Sequence, residues 1–103
     1  MPDRAWKAAE RSIAKRLGGK RSGPRGVAVG DVIAPGIVAE VKERKQLPAW
    51  LTGAMQQAMK AARDGQGVCA PQLPIVILHV LGQRHDNDLV VMRLADFQAL
   101  RQD

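Results

Sequence analysis

The sequence is poor in residues that staple a fold or stack on a base. It holds one cysteine, Cys69, no tyrosine, and as aromatics only Trp6, Trp50 and Phe97. A single thiol forms no internal disulfide, which argues against a small disulfide-framed secreted fold and suits a reducing cytoplasm. Cys69, in the loop GQGVCAPQ, has no sequence-level tie to either histidine and reads as a bystander thiol rather than a nucleophile. So few aromatics make a stacking platform for single-stranded nucleic acid a poor fit. No apolar run approaches the ~20 residues of a membrane helix, and MPDRAWKAAERS lacks a signal-peptide core. The expectation is a cytoplasmic chain with no membrane partner.

Acidic side chains are scarce in one region. Residues 1–26 hold Arg4, Lys7, Arg11, Lys15, Arg16, Lys20, Arg21 and Arg25 against Asp3 and Glu10 alone. Beyond them, bases and acids cancel, so the whole net charge of +6 lies in the first quarter. Such an imbalance is the footprint of a polyanion partner, here duplex nucleic acid held through its backbone and shape. The alternative is a solvated helix face that only aids solubility. The remaining composition, 46% apolar and 25% charged over 103 residues, is that of one globular domain with one core.

Local signals give an α/β order. Asp3 is placed to cap a helix running to about Leu17, stopped by Gly18-Gly19. Trp6, Ile13 and Leu17 share a stripe on that helix, and Glu10 falls on the same apolar face. GGKRSGPRG reads as a flexible basic loop. GDVIAPGIVAEVKERK then alternates about Pro35-Gly36 as a hairpin from about Val27 to Arg44, the pair suiting a type II turn. A two-residue loop and a four-residue loop from Ala34 to Ile37 give the same pairing, Ile33 opposite Val38 and Asp31 opposite Glu40.

Pro48 suits the first turn of a second helix to about Arg63, with Asp64-Gly65 ending it. Its stripe of Leu51, Met55, Ala58 and Ala62 is core packing rather than a cofactor-binding cluster. PIVILHVL is apolar on both faces, as in a central strand. Residues 82–87 turn the chain, Leu89 to Leu94 is a strand, and Ala95 to Gln102 a short helix. The order α-β-β-α-β-β-α makes helix 48–63 the crossover that a parallel pair needs.

The hairpin carries the chemistry. Alternation puts Val27, Val29, Asp31 and Ile33 on one side with Val38, Glu40 and Lys42. Two opposed carboxylates repel one another, and a bound cation with Lys42 beside it reverses that sign. Together with Glu10 they form a set of inward carboxylates. The competing reading, a buried ion-pair cluster without metal, leaves three acids to one base, and buried pairs stabilise weakly.

Other constellations are weaker. His79 reads as a hydrogen-bonded core histidine in the buried strand. His85-Asp86-Asn87-Asp88 lacks the Gly and the late Glu of a calcium loop and reads as a hairpin turn. The glycines of LGGKRSGPRGVAVG have no strand before them and no helix after, unlike a phosphate-cradling loop.

Glu10-Arg11 on a helix, the loop Arg21-Ser22-Gly23, the strand DVIA with Asp31, and Glu40-Val41-Lys42 resemble, in that order, the PD-(D/E)XK nuclease superfamily. Within it the chain is most similar to the archaeal-type Holliday junction resolvases, over nearly its whole length. Gly30 stands where the superfamily name has Pro, and the family's longer loops are trimmed. The resemblance implies a restriction-endonuclease-like core, a central mixed β-sheet flanked by helices.

It also implies a Mg2+-dependent endodeoxyribonuclease, Mn2+ substituting, with Glu10, Asp31, Glu40 and Lys42 catalytic. Glu10, Asp31, Glu40 and the Val41 carbonyl would hold metal; Lys42 would orient water or stabilise the scissile phosphate. Arg21 and Ser22 would grip DNA near the scissile bond, and Arg11, Lys15, Lys20 and Arg25 belong to the same basic surface. The expected substrate is a four-way DNA junction, cut as a homodimer by paired symmetric nicks in a prokaryotic or viral setting. A flap or fork nickase, and a non-catalytic basic nucleic-acid-binding protein, are the alternatives.

Overall fold

The computed structural model describes residues 5–22, 31–65 and 72–102. The chain is a small α/β protein with two compact units, Met1–Lys45 and Gln46–Asp103. In the first unit, α1 (Ala5–Leu17) leads into β1 (Lys20–Arg21), β2 (Val32–Ala34) and β3 (Ile37–Ala39), an antiparallel sheet of order β1-β2-β3. In the second, α2 (Ala49–Asp64) precedes β4 (Val76–Leu78), a 3-10 turn (His85–Asn87), β5 (Leu89–Val91) and α3 (Leu94–Arg101). β4 and β5 form a separate antiparallel pair.

The α/β class expected from the sequence is present, and the sheet arrangement differs. Among the described residues there is no parallel pair and no single mixed sheet, so α2 is not the crossover of a parallel pair. The strands are two or three residues long; β2 and β3 pair across a two-residue turn, and each of the other two pairs joins strands ten residues apart in the chain. Short hairpins close at small cost in loop entropy, whereas a parallel pair requires a long connection first.

Glycine ends α1 in a specific way. The Gly18 amide donates to the Lys15 carbonyl and the Gly19 amide to the Ala14 carbonyl, at 3.2 and 2.8 Å. These are the two bonds of a Schellman motif, with Gly18 in the left-handed region at φ 71°. Gly19 then lies against β2: a Cβ there would sit 2.2 Å from the Ile33 carbonyl oxygen and 2.7 Å from the Ala34 Cβ. The chain therefore continues from the helix directly into β1, and Lys20 and Arg21 pair with Ile33 and Val32. The basic stretch expected to be loop is an edge strand over these two residues.

The core of this unit is small. Ala14 and Leu17 of α1 are buried against Val32, fully enclosed at 0% exposure, and Ala34. The expected stripe is rotated, since Ala14 takes the inner position, Ile13 is half-buried and Trp6 is 42% exposed. Of the two loops the sequence allows, Pro35-Gly36 forms the two-residue one, with Gly36 at φ 77° as a type II turn needs and Ala34 paired to Ile37. The register is the expected one, Ile33 opposite Val38. The buried face of the hairpin is the opposite one: Ile33 is 45% and Val38 64% exposed while Val32 and Ala34 are enclosed. Small Ala14, Gly19 and Ala34 let the helix approach this side closely, and the Ile33 side is left outward.

In the second unit, α2 begins after Pro48, whose carbonyl accepts from the amides of Leu51 and Thr52 at 3.0 and 3.1 Å. It ends at Gly65 in the left-handed region, φ 57°. Leu51, Met55, Ala58 and Ala62 are half-buried, as their stripe implied. PIVILHVL is not a buried central strand: only Val76–Leu78 are paired, and Ile77 opposite Val90 leaves both about half exposed, at 50% and 54%. A two-stranded sheet offers no second partner to bury them. Asp3, Val27, Val29 and Cys69 lie outside the described residues.

Two glycine substitutions isolate the role of the close approach. Gly19→Ala forces backbone apart and should cost more than about 2 kcal/mol. Gly53→Ala, inside α2 with open space about its Cβ, should gain about 0.5–1 kcal/mol from helix propensity. Urea unfolding of both variants checks this; equal stabilities would contradict it.

Candidate metal and nucleic-acid site

Glu10 lies one turn ahead of Ala14 on the inner face of α1 and is 6% exposed, so burial of this carboxylate follows from the helical period read in the sequence. A buried carboxylate needs a partner, and β1 supplies one. The Arg21 Nε donates to Glu10 Oε1 at 2.6 Å. Arg21 is opposite Val32 in the ladder, so its side chain shares the Val32 face, towards α1. The guanidinium also lies 5.7 Å from the centroid of the Trp6 ring, with Lys7 Nζ 5.4 Å from the same ring. Helix and edge strand are thus joined by an ion pair backed by an aromatic face.

Ser22 continues the path from β1 to Asp31. Its amide donates to the Asp31 carbonyl at 2.9 Å, and its hydroxyl lies 3.3 Å from the same oxygen. Asp31 stands at a bend just before β2, and Glu40, Val41 and Lys42 lie just after β3, so neither set is within a strand as expected. The reason is a side chain that replaces the ladder: Asp31 Oδ2 accepts from the Val41 amide at 2.8 Å. That bond holds the Asp31 carboxylate against the Glu40-Val41-Lys42 segment. Glu40 and Lys42 make a loose ion pair, 3.8 Å, with side chains 60% and 70% exposed.

These residues therefore form one connected path, Glu10 to Arg21, Ser22 to Asp31, Asp31 to Val41. They do not form a closed cage. Among the described residues one group of three His, Cys, Asp or Glu has its ligand atoms within 4.8 Å of one another, and it contains none of Glu10, Asp31 and Glu40. Glu40 is exposed rather than inward, and Asp31 is half-buried against the Val41 amide, because α1 covers the Val32 side.

The basic residues divide by exposure. Arg11 and Lys15 are exposed on α1, and with half-buried Lys7 they make a row at four-residue spacing. Like charges at this spacing repel, a cost that a polyanion lying along the row would relieve. Lys20 is exposed on β1, beside a shallow depression lined by Gly18 to Ser22 and Ile33 to Pro35. Arg21 is committed to Glu10 and Trp6. Arg25 lies outside the described residues.

The three-residue group is His79, His85 and Asp88, in the second unit. His79 is not a core histidine: it follows the end of β4 with its side chain 35% exposed. Its Nδ1 is 2.6 Å from Asp88 Oδ1, and His85 Nδ1 is 3.0 Å from Asp88 Oδ2. Taken one by one, a histidine in an apolar stretch and an acidic turn gave no signal. The signal was the hairpin register, which joins 79 to 88.

The Glu10–Arg21 pair yields a quantitative expectation. Glu10→Ala and Arg21→Ala should each destabilise by about 1–3 kcal/mol, and the double variant by clearly less than their sum, with a coupling above about 1 kcal/mol. Denaturation followed by Trp6 fluorescence in a Trp50→Phe background measures it; additive losses would contradict a direct pair. No family model, curated protein or solved structure matches the chain.

Proposed function

We propose that the chain is a metal-dependent, structure-selective DNA endonuclease that cuts four-way junctions, with Asp31, Glu40 and Lys42 as its hydrolytic centre. The observation that carries the proposal is the 2.8 Å bond from the Val41 amide to Asp31. It brings a carboxylate from one side of the hairpin to the acid-x-lysine segment on the other, the juxtaposition on which the resemblance to PD-(D/E)XK nucleases depends. The restriction-endonuclease-like core is part of this proposal and rests on α1, the β2–β3 hairpin and these side chains.

The donor set fits a hard divalent cation. Two carboxylates and the Val41 carbonyl are oxygen ligands, and Mg2+ or Mn2+ takes such ligands together with waters and phosphate oxygens. A bound ion would supply an activated water and neutralise developing phosphate charge. Asp31 keeps Oδ1 outside its bond to Val41, and Glu40, largely exposed, can turn towards it. Lys42 carries a positive charge two residues on, placed to hold a phosphate oxygen or the attacking water. Glu10 acts in this scheme as a positioning residue, fixing Arg21 and with it the β1 edge next to Ser22 and Asp31.

The row of half-buried Lys7 and exposed Arg11 and Lys15, with exposed Lys20, would bind the DNA backbone without reading bases. Selectivity for a junction then comes from a homodimer that presents two such sites about a two-fold axis, each cutting one strand. A basic protein that binds DNA without cutting it is the second reading, favoured by the charge row alone.

Asp31→Asn and Glu40→Gln should each reduce junction cleavage at least about 100-fold while leaving junction affinity within about threefold, since phosphate contacts carry the binding. Cleavage persisting in either variant overturns the assignment of the centre. Wild-type protein that binds but never cuts with Mg2+ or Mn2+ leaves the non-catalytic reading. Arg11→Ala with Lys15→Ala should lower the log–log salt slope of binding by about 2, read from affinities over a salt series; an unchanged slope makes this face merely solubilising.

A further inference from the structure

We propose that His79, His85 and Asp88 form a site for a transition-metal cation of the zinc class, separate from the hairpin carboxylates and independent of the nuclease reading. All three ligand atoms lie within 4.8 Å of one another. Two imidazole nitrogens with one carboxylate are borderline donors that favour Zn2+, Co2+, Ni2+ or Cu2+ over Mg2+ and Ca2+.

The convergence is fixed by local backbone structure. Register in the β4–β5 hairpin pairs Leu78 with Leu89, so the next position outward sets His79 opposite Asp88 on one face. The 3-10 turn His85–Asn87 supplies the third group. Residues three apart eclipse in that geometry, which stacks His85 over Asp88. Turn bonds hold it in place, the Asn87 amide to the Arg84 carbonyl and the Asp88 amide to the His85 carbonyl, each 3.0 Å. The whole site falls within ten consecutive residues.

The two rings bracket the carboxylate. His79 Nδ1 addresses Oδ1 at 2.6 Å and His85 Nδ1 addresses Oδ2 at 3.0 Å, with ring centroids 4.5 Å apart and planes tilted by 31°. Ligand atoms around tetrahedral zinc stand about 3.3 Å apart, given bonds of about 2.0–2.1 Å. The two contacts to Asp88, at 2.6 and 3.0 Å, lie close to that separation. On binding, the ion would take the Nδ1 positions that face Asp88, each neutral ring carrying its one proton on Nε2.

Exposure grades the three ligands in a useful way. The Asp88 side chain is 13% exposed and anchors the site, whereas His79 is 35% and His85 83% exposed, which leaves an entry path. The nearest charged side chains on the turn, Arg84 and Asp86, pair with each other at 3.6 Å and are 86% and 85% exposed. Three protein ligands leave a coordination position for water or a further ligand.

The test is calorimetric titration of the untagged full-length chain with ZnCl2, paired with Co2+ absorption spectra and with MgCl2 as comparison. One Zn2+ should bind per chain, Co2+ should give tetrahedral d–d bands, and Mg2+ should not compete. Because His85 is so exposed, His85→Ala keeps the fold and should weaken Zn2+ binding at least about tenfold; Asp88→Asn should do the same or more. Cys69→Ser should bind as wild type. Absence of stoichiometric binding, or unchanged affinity in His85→Ala, or loss of binding in Cys69→Ser, overturns the proposal and leaves the cluster a hydrogen-bonded clasp of the hairpin.

Discussion

The close approach of α1 to β2 decides what the first unit can do. Ala14 and Leu17 meet Val32 and Ala34, and Gly19 touches backbone where a side chain has no room. Once that side of the hairpin is enclosed, period-two alternation commits Ile33 and Val38 to the other side, and Glu40 and Lys42 remain in solvent. The same contact buries Glu10 and calls for a cation beside it. Arg21 can supply that cation only because the chain leaves the helix through Gly18-Gly19 straight into β1. Helix end, edge strand, ion pair and exposed carboxylates are consequences of one steric fit.

Much of this was legible in the residues. Pro35-Gly36 announced the turn and its register, and the glycines after Leu17 and Asp64 announced the helix ends, because φ-specific positions have few solutions. Glu10 was placed on the inner face by its spacing from Trp6, Ile13 and Leu17. The face of the hairpin that α1 covers was not legible, since Val32-Ala34 and Ile33-Val38 are both apolar pairs and only volume distinguishes them. β1 was hidden because Lys20 and Arg21 have no strand-like pattern; a neighbouring ladder and a buried acid recruit them.

The second unit shows a related limit. Continuous apolarity in PIVILHVL suggested a strand buried on both sides, whereas the structure pairs three of its residues and leaves Val80 68% and Leu81 94% exposed. Apolar content reports an affinity for burial, and the number of neighbouring strands decides whether it is met. The His79–His85–Asp88 cluster was similarly invisible while the histidines were judged singly. Two different periodicities, a ladder and a 3-10 turn, converge on Asp88.

The central proposal is that Asp31, held on the Val41 amide, would form a cation site with the Glu40-Val41-Lys42 segment. Backbone amide spectra of isotopically labelled protein titrated with substoichiometric Mn2+ test it most directly, because paramagnetic broadening falls off steeply with distance from the ion. Broadening of the amides of Asp31, Glu40, Val41 and Lys42, abolished in Asp31→Asn, is the result the account predicts. Amides 31 and 40–42 left sharp, in a titration that broadens signals elsewhere in the chain, would contradict it.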